Sequence, residues 1–418
     1  MKNNNKNPWF WIPTLYFAEG LPYVIIMTVS VIMYKNLGIS NSDIALYTSW
    51  LYLPWVIKPF WSPIIDMFKT KRWWILTMQI LLGGGLAGVA FAIPTTLFFQ
   101  ISLAVFWLLA FSSATHDIAA DGFYMIALDE HNQSLFVGIR STFYRIASIM
   151  GQGIVVMIAG YLEKYYETAT AWSYTFLGIA ILILLISIYH YFSLPKISSD
   201  KAIKNGNELN TFIHTFISFF QKKQIGIALL FMLIYRLGEA QLVKIASPFL
   251  LDSAEAGGLS LSTTEVGFIY GTIGVIALTL GGILGGIVVA ASGIGKWKWP
   301  MILCMNIPNL VYVYLSIFTP AQYWITCTCI ALEQFGYGFG FTLYMLYLIY
   351  FAQGENKTAH YAICTGIMAI GMMLPGMVSG YIQEAIGYQN FFIWVCICTI
   401  PSFIILKYLP FNSNFGKK

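Results

Sequence analysis

Long apolar runs, separated by short polar breaks, occupy nearly the whole chain. A helix needs about 20 predominantly apolar residues to cross a bilayer. Twelve runs reach that length, at roughly 9–34, 43–65, 73–93, 97–128, 136–162, 171–193, 224–250, 263–291, 300–318, 321–352, 360–385 and 390–409. One connection is long and polar: PKISSDKAIKNGNELNTFIHTFISFFQKK, between Leu194 and Gln224. The pattern predicts an all-α polytopic membrane protein with six-helix halves over 1–193 and 224–418. The linker at 194–223 joins them, and its FIHTFISFF portion is expected to lie as an amphipathic helix at the interface. The first run, led by MKNNNKNPWFWIP, is too long for a signal-peptide core and lacks a small-residue cleavage site. It therefore reads as a retained first helix.

Composition agrees with this picture, since only 10% of the 418 residues are charged and 58% are hydrophobic, against about 25% charged in soluble domains. The net charge of +5 does not point to nucleic acid, because the cations fall on one side of the predicted spans. With the N-terminus placed in the cytoplasm, sixteen Lys and Arg residues lie in inside segments, and only Lys35 and Lys164 lie outside. By the positive-inside rule both termini are expected in the cytoplasm. Two six-span halves joined by a basic loop is the layout of the major facilitator architecture, in which spans 1, 4, 7 and 10 face the central path.

Ten ionisable residues remain inside the runs: Lys58, Arg140, Arg145, Arg236, Lys244, Glu19, Asp117, Asp121, Glu239 and Glu333. Charge in hydrocarbon is costly, so such groups face water or one another. The acids fall on spans 1, 4, 7 and 10. Asp117 and Asp121 are spaced i, i+4 and share a helix face, and Arg236 and Glu239, at i, i+3, are expected to pair. Pro22 is expected to break the first helix near Glu19. A buried carboxylate beside a cation suits a proton carrier, so Asp117 or Asp121, or else Glu19 or Glu239, is the candidate for coupling proton entry to transport, with Glu333 a further acid of the set. Asp121 is expected to pair with Lys58 or Arg140, leaving Asp117 as substrate or proton site.

Other chemistries have less support. His116 and Asp121 fit the H-x-x-x-x-D spacing of some membrane acyltransferases, but the motif lies within an apolar run with no matching nucleophile. The remaining histidines are scattered in loops or at helix ends, so neither metal nor cofactor is expected. The six cysteines read as packed free thiols, and the runs at Gly83–Gly85 and Gly281–Gly286 as close helix packing.

Four stretches carry a more specific likeness: FAEGLP (Phe17–Pro22), IKPFWSPIID (Ile57–Asp66), SSATHDIAADGF (Ser112–Phe123) and FYRIASIMGQG (Phe143–Gly153). Weaker ones follow at IYRLGEA (Ile234–Ala240) and LEQFGYGFGFTLYMLYL (Leu332–Leu348). With these the sequence resembles the AmpG muropeptide permease family, related to the acetyl-coenzyme A transporters within the major facilitator superfamily. The resemblance implies a bacterial inner-membrane transporter, not an enzyme. It implies proton-driven uptake of amino-sugar or glycopeptide fragments, with a small-molecule substrate, protons and the lipid bilayer as partners, and a monomeric state is expected.

On that resemblance Asp66 and Arg72, with Arg140 near the cytoplasmic end of its span, belong to a cytoplasmic gate. Lys58, Asp121, Arg140 and Arg145 could form an ion network in the first half. Arg145 or Arg236 could hold a substrate carboxylate, and Lys244 is a further candidate for charge pairing. Tyr16, Tyr23, Trp55, Tyr337 and Tyr344 are candidates for stacking on sugar faces. Glu19 stands where the family commonly has a small residue, and His116 replaces a frequent glutamine. The enteric members' extra C-terminal helices are not seen in this chain. These departures leave another cargo open, such as a sialic acid, a glycan disaccharide or an organic anion.

Overall fold

The computed structural model describes residues 6–128, 130–198, 200, 208–354, 357–410, 412–413 and 415. Every regular element among them is helical. In chain order the helices are α1 (Pro8–Asn36), α2 (Asn41–Trp50), α3 (Leu53–Phe68), α4 (Lys71–Ala92), α5 (Phe98–Ala127), α6 (Ile139–Leu162), α7 (Thr168–Ser193), α8 (Glu208–Phe220), α9 (Ile225–Leu251), α10 (Thr263–Ser292), α11 (Ile294–Phe318), α12 (Tyr323–Ala352) and α13 (Ala359–Tyr408). All but α2, α3 and α8 are long and apolar enough to cross a membrane, which makes ten. The remaining expected spans meet two local features. The run at 43–65 is divided into α2 and α3 at Leu51 and Tyr52. The last two runs are merged in α13, whose backbone leaves the helical region at Gly387 (φ 76°), a conformation open to glycine. Outward stripes such as Ile181, Leu185 and Ile188 on α7, all more than half exposed, follow helical spacing and suit a lipid-facing surface.

The chain forms two compact units, one of residues 1–37 and 57–209, the other of residues 38–56 and 210–418. Residues 38–56 thus pack with the second unit. Beside the buried apolar residues Ile44 and Ala45, a set of polar contacts holds the segment there. Asn41 Nδ2 donates to Gln383 Oε1 (2.7 Å) and to the Tyr388 hydroxyl (2.8 Å), and the Ser42 N–H donates to Glu384 Oε1 (2.9 Å). The break before α3 lets α2 follow this pairing independently.

Within the first unit, α4 packs between α5 and α7, while α1 packs on α6 and α5. Within the second, α12 packs between α10 and α11, and α13 packs on α9 and α2. Helices approach closely here through residues without side chains. In the GYGFG stretch of α12, Gly336 lies against the Cys304 carbonyl and Gly340 against the Met301 carbonyl, both on α11, whereas Gly338 meets the Leu278 carbonyl of α10. Membrane helices gain little hydrophobic drive from one another, so this close contact supplies the attraction. All six cysteines are free. In the linker, α8 buries Phe219 and exposes Ile213, Ile217 and Phe220. Lys222, just after α8, donates to the carbonyls of Phe351 and Gln353 at 2.6 and 2.8 Å.

The packing predicts opposite signs for two alanine substitutions. Gly336→Ala drives a Cβ into the Cys304 carbonyl and is expected to destabilise the fold by about 1–3 kcal/mol. At Gly286 a Cβ meets nothing within 4 Å, so Gly286→Ala should be neutral or stabilising by up to about 1 kcal/mol. Thermal unfolding of the two purified variants in detergent checks the pair; equal shifts would contradict the packing.

Candidate functional site

In the first unit α5 presents Asp117 and Asp121 one turn apart. Lys58 of α3 forms an ion pair with Asp117, and Arg140 of α6 bonds Asp121 Oδ1 at 2.5 Å. Tyr16 of α1 also donates to Asp121, at 3.1 Å. The Arg140 guanidinium lies 4.3 Å from the Tyr16 ring centroid and 4.9 Å from that of Tyr124, so two aromatic rings and a carboxylate hold it. Glu19, one turn along α1 from Tyr16, completes the group. Its carboxyl lies with those of Asp117 and Asp121, their ligand oxygens all within 4.8 Å of one another. Glu19 Oε2 is buried without a hydrogen-bond partner among the described residues. Three carboxyls therefore face two cations. They stand close enough to share a small cation, but Lys58 and Arg140 already fill that role for the two aspartates.

The helix carrying Glu19 does not break at Pro22, contrary to the sequence expectation. α1 stays helical through the proline and widens into a π-helical turn over Ile25–Val29. Gly20 keeps α1 tight on α6, because a Cβ there would lie 3.1 Å from the Tyr144 carbonyl and Ala147.

His116 turns away from the carboxyls into the interior. Its Nε2 lies 2.9 Å from Gln79 Nε2 of α4, which lies 2.9 Å from His190 Nδ1 of α7. His190 Nε2 is in turn 2.9 Å from Thr14 Oγ1 of α1. Gln79 Oε1 also lies 3.1 Å from His190 Nδ1, so the tautomers of the two histidines set which groups donate along the chain. This chain ties α1, α4, α5 and α7 across an apolar interior. Sequence reasoning missed it and placed His190 among scattered helix-end histidines. The signal available was a pair of neutral polar residues, Gln79 and His190, within otherwise apolar runs. His116 is 1% exposed and committed to Gln79, which removes it as an accessible general base for acyl transfer.

In the second unit, α9 is interrupted at Tyr235–Arg236 and resumes at Leu237. The expected Arg236–Glu239 ion pair is not formed among the described residues, although the two groups remain electrostatic neighbours. Arg236 instead donates to the Tyr337 hydroxyl at 2.5 Å and stacks on the Tyr337 and Phe341 rings. Lys244, 2% exposed, bonds Thr48 Oγ1 at 2.9 Å and sits over the Tyr52 ring. Glu333 accepts from Gln334 (2.9 Å) and from Tyr312 (3.5 Å). Glu239 is buried, and its Oε2 has no partner among the described residues.

The other expected residues fall as follows. Tyr344 is fully buried, donates to the Met232 carbonyl and stacks on Tyr235, so packing takes up its ring. Tyr16 is likewise buried and occupied by Arg140 and Asp121. Tyr23 meets the Tyr144 ring, and Trp55 is partly exposed at the start of α3. Arg145 is partly buried; five positions place it roughly 140° around α6 from Arg140. Of the gate residues, Arg72 donates to the Tyr191 carbonyl at 2.6 Å, and its backbone N–H reaches Asp200 at 3.0 Å. Arg140 belongs to the carboxyl cluster. The Asp66 side chain lies outside the described residues.

The family model of the Major Facilitator Superfamily matches residues 14–352. The chain belongs to this superfamily. It is 27% identical to putative transporter AmpG 4 of Rickettsia conorii over 97% of both chains. It is 24% identical to the anhydromuropeptide permease of Escherichia coli K12, over 96% of this chain and 81% of that one. The fold is similar to that of a D-xylose–proton symporter, with TM-score 0.73 and 11% identity over 98% of each chain. It is also similar to the nucleoside transporter NupG, with TM-score 0.72 and 15% identity over 96% of this chain and 98% of that one. As a major facilitator protein the chain is a multi-pass membrane transporter, and the ionisable clusters in its two units are the natural places to seek its chemistry.

The Asp121–Arg140 pair yields a test of its own. Asp121→Asn leaves Arg140 without its carboxylate and should destabilise by about 1–3 kcal/mol, less than a fully buried pair because both groups are partly open. Asp121→Asn combined with Arg140→Gln removes both charges and should recover part of that loss. A thermal-shift double-mutant cycle measures this; strictly additive losses would mean that the pair contributes nothing.

Proposed function

We propose that this chain is a proton-coupled importer of amino-sugar or muropeptide-type saccharides in the bacterial inner membrane. It works by alternating access, with twelve spans and both termini in the cytoplasm. The sixteen-to-two distribution of loop cations supports the orientation. The likeness to the anhydromuropeptide permease of Escherichia coli supports the cargo class. The observation that carries proton coupling is the surplus carboxyl in the first unit, where Glu19, Asp117 and Asp121 face only Lys58 and Arg140. Neutrality of that group calls for one proton, and Glu19, whose Oε2 lacks a partner, is the residue to carry it. Release of the proton leaves a net negative cluster, and its return restores balance, so the cycle can be linked to cargo movement. By resemblance, Glu19 replaces a small residue of the permease family, which makes this extra acid a feature of this chain.

Reconstitution of the full chain in liposomes separates the steps. The probe is the radiolabelled disaccharide of N-acetylglucosamine and anhydro-N-acetylmuramic acid. Glu19→Gln is expected to keep counterflow exchange within about twofold of wild type and to lose accumulation driven by a pH gradient. Undiminished accumulation by Glu19→Gln would remove Glu19 as the coupling group, and absence of counterflow in the wild type would remove the cargo.

A further inference from the structure

The connection that follows α7 is tied down at both ends. Leu194 is fully buried, and Ile197 packs against the apolar cluster that includes Trp11, Ile75 and Phe123. Asp200 comes next and is only 8% exposed. Its Oδ1 accepts from the Lys71 N–H (2.7 Å) and its Oδ2 from the Arg72 N–H (3.0 Å). These are the first two N–H groups of α4, which no carbonyl of their own helix can meet. The third, that of Trp73, goes to the Thr70 hydroxyl. Asp200 thus bridges two donors at the positive end of a 22-residue helix, where a carboxylate is held by charge as well as by hydrogen bonds.

The other end is held through α8. Phe219 is fully buried, with ring centroids 5.7 Å from Phe351 and 5.6 Å from His360. Ser218 Oγ lies 3.0 Å from His360 Nε2. The Lys222 ammonium sits on the Phe351 and Gln353 carbonyls where α12 ends, the favourable end of a helix for a cation. All of these residues belong to the second unit, whereas Asp200, Lys71 and Arg72 belong to the first. Between the two attachments the chain is short. Eight residue steps lead from Asp200 to Glu208, where α8 starts, and fully extended they reach about 26–29 Å at 3.3–3.6 Å per residue.

We infer that this connection is a tether of set length, with Asp200 as its anchor on the first unit, and that it limits how far the α4 and α8 ends of the two units move apart in the transport cycle. The inference rests on the alternating-access reading and adds the element that bounds its motion. Loss of the Asp200 bonds would move the start of the tether back toward Leu194. Those six residues would add up to about 20 Å of reach. Release at the other end is harder, because it exposes Phe219 and strips Lys222 of both carbonyls.

The test shortens the tether and then frees its anchor. The variants are a deletion of Lys204, Asn205 and Gly206, Asp200→Ala, Asp200→Asn, and the deletion combined with Asp200→Ala. Thermal unfolding checks that each is folded. Nitroxide labels on Lys69→Cys and Lys223→Cys, in full-length protein whose six native cysteines are replaced by alanine, report distances by pulsed electron paramagnetic resonance without any cargo. The deletion should remove the longest distances, by up to about 10 Å. Asp200→Ala should extend them, Asp200→Asn, which keeps one carbonyl acceptor, should extend them less, and the combination should return to the wild-type limit. Counterflow of the labelled disaccharide should fall about fivefold or more in the deletion and recover when Asp200→Ala is added, as expected where a conformational step sets the rate. A longest distance that Asp200→Ala leaves unchanged, or a deletion defect that it does not reverse, overturns the tether and leaves the transporter reading intact. If the wild type gives no counterflow, the cargo reading fails, and the distances alone decide the tether.

Discussion

A charged side chain within hydrocarbon persists only where a partner, a ring face or water meets it, and the interior of this transporter is organised by that requirement. The ionisable residues of its spans are gathered on few helices, chiefly α1, α5, α9 and α12, with cations supplied by α3 and α6. Apolar packing and close glycine contacts build the scaffold, but they specify no chemistry. The places where charge is tolerated do.

The two units meet the requirement in contrasting ways. The first is acid-rich: each aspartate of α5 holds a cation, and Glu19 is the carboxyl left over. The adjoining rings of Tyr16 and Tyr124 keep the Arg140 charge in place without neutralising the cluster. The second has as many buried acids as cations, yet Arg236 and Lys244 turn to tyrosine and threonine hydroxyls and to aromatic faces.

The transmembrane runs were legible in the sequence because hydropathy over twenty residues averages out local detail. The residues of the carboxyl group were legible too, since ionisable side chains stand out in apolar runs. Partner choice was not, because Lys58 and Arg140 both suit either aspartate until the helices are packed. The helix interruption at Tyr235–Arg236 was not legible, since neither glycine nor proline lies there, and Arg236 turns to Tyr337 in place of an ion pair with Glu239. The departure of residues 38–56 to the second unit depends on Asn41 meeting Gln383 and Tyr388, contacts more than three hundred positions apart in sequence. The link between Gln79 and His190 was not legible because hydropathy does not show which polar side chains meet, whereas folding joins them into one chain with His116.

The central claim is that cargo entry carries protons through the acid-rich unit. Internal acidification of proteoliposomes, followed with a trapped pH-sensitive dye while the labelled disaccharide enters, measures it directly. The account predicts that adding sugar outside acidifies the lumen in step with uptake, and that the acidification is absent with Glu19→Gln. Sugar entry at full rate with no change in internal pH would contradict it.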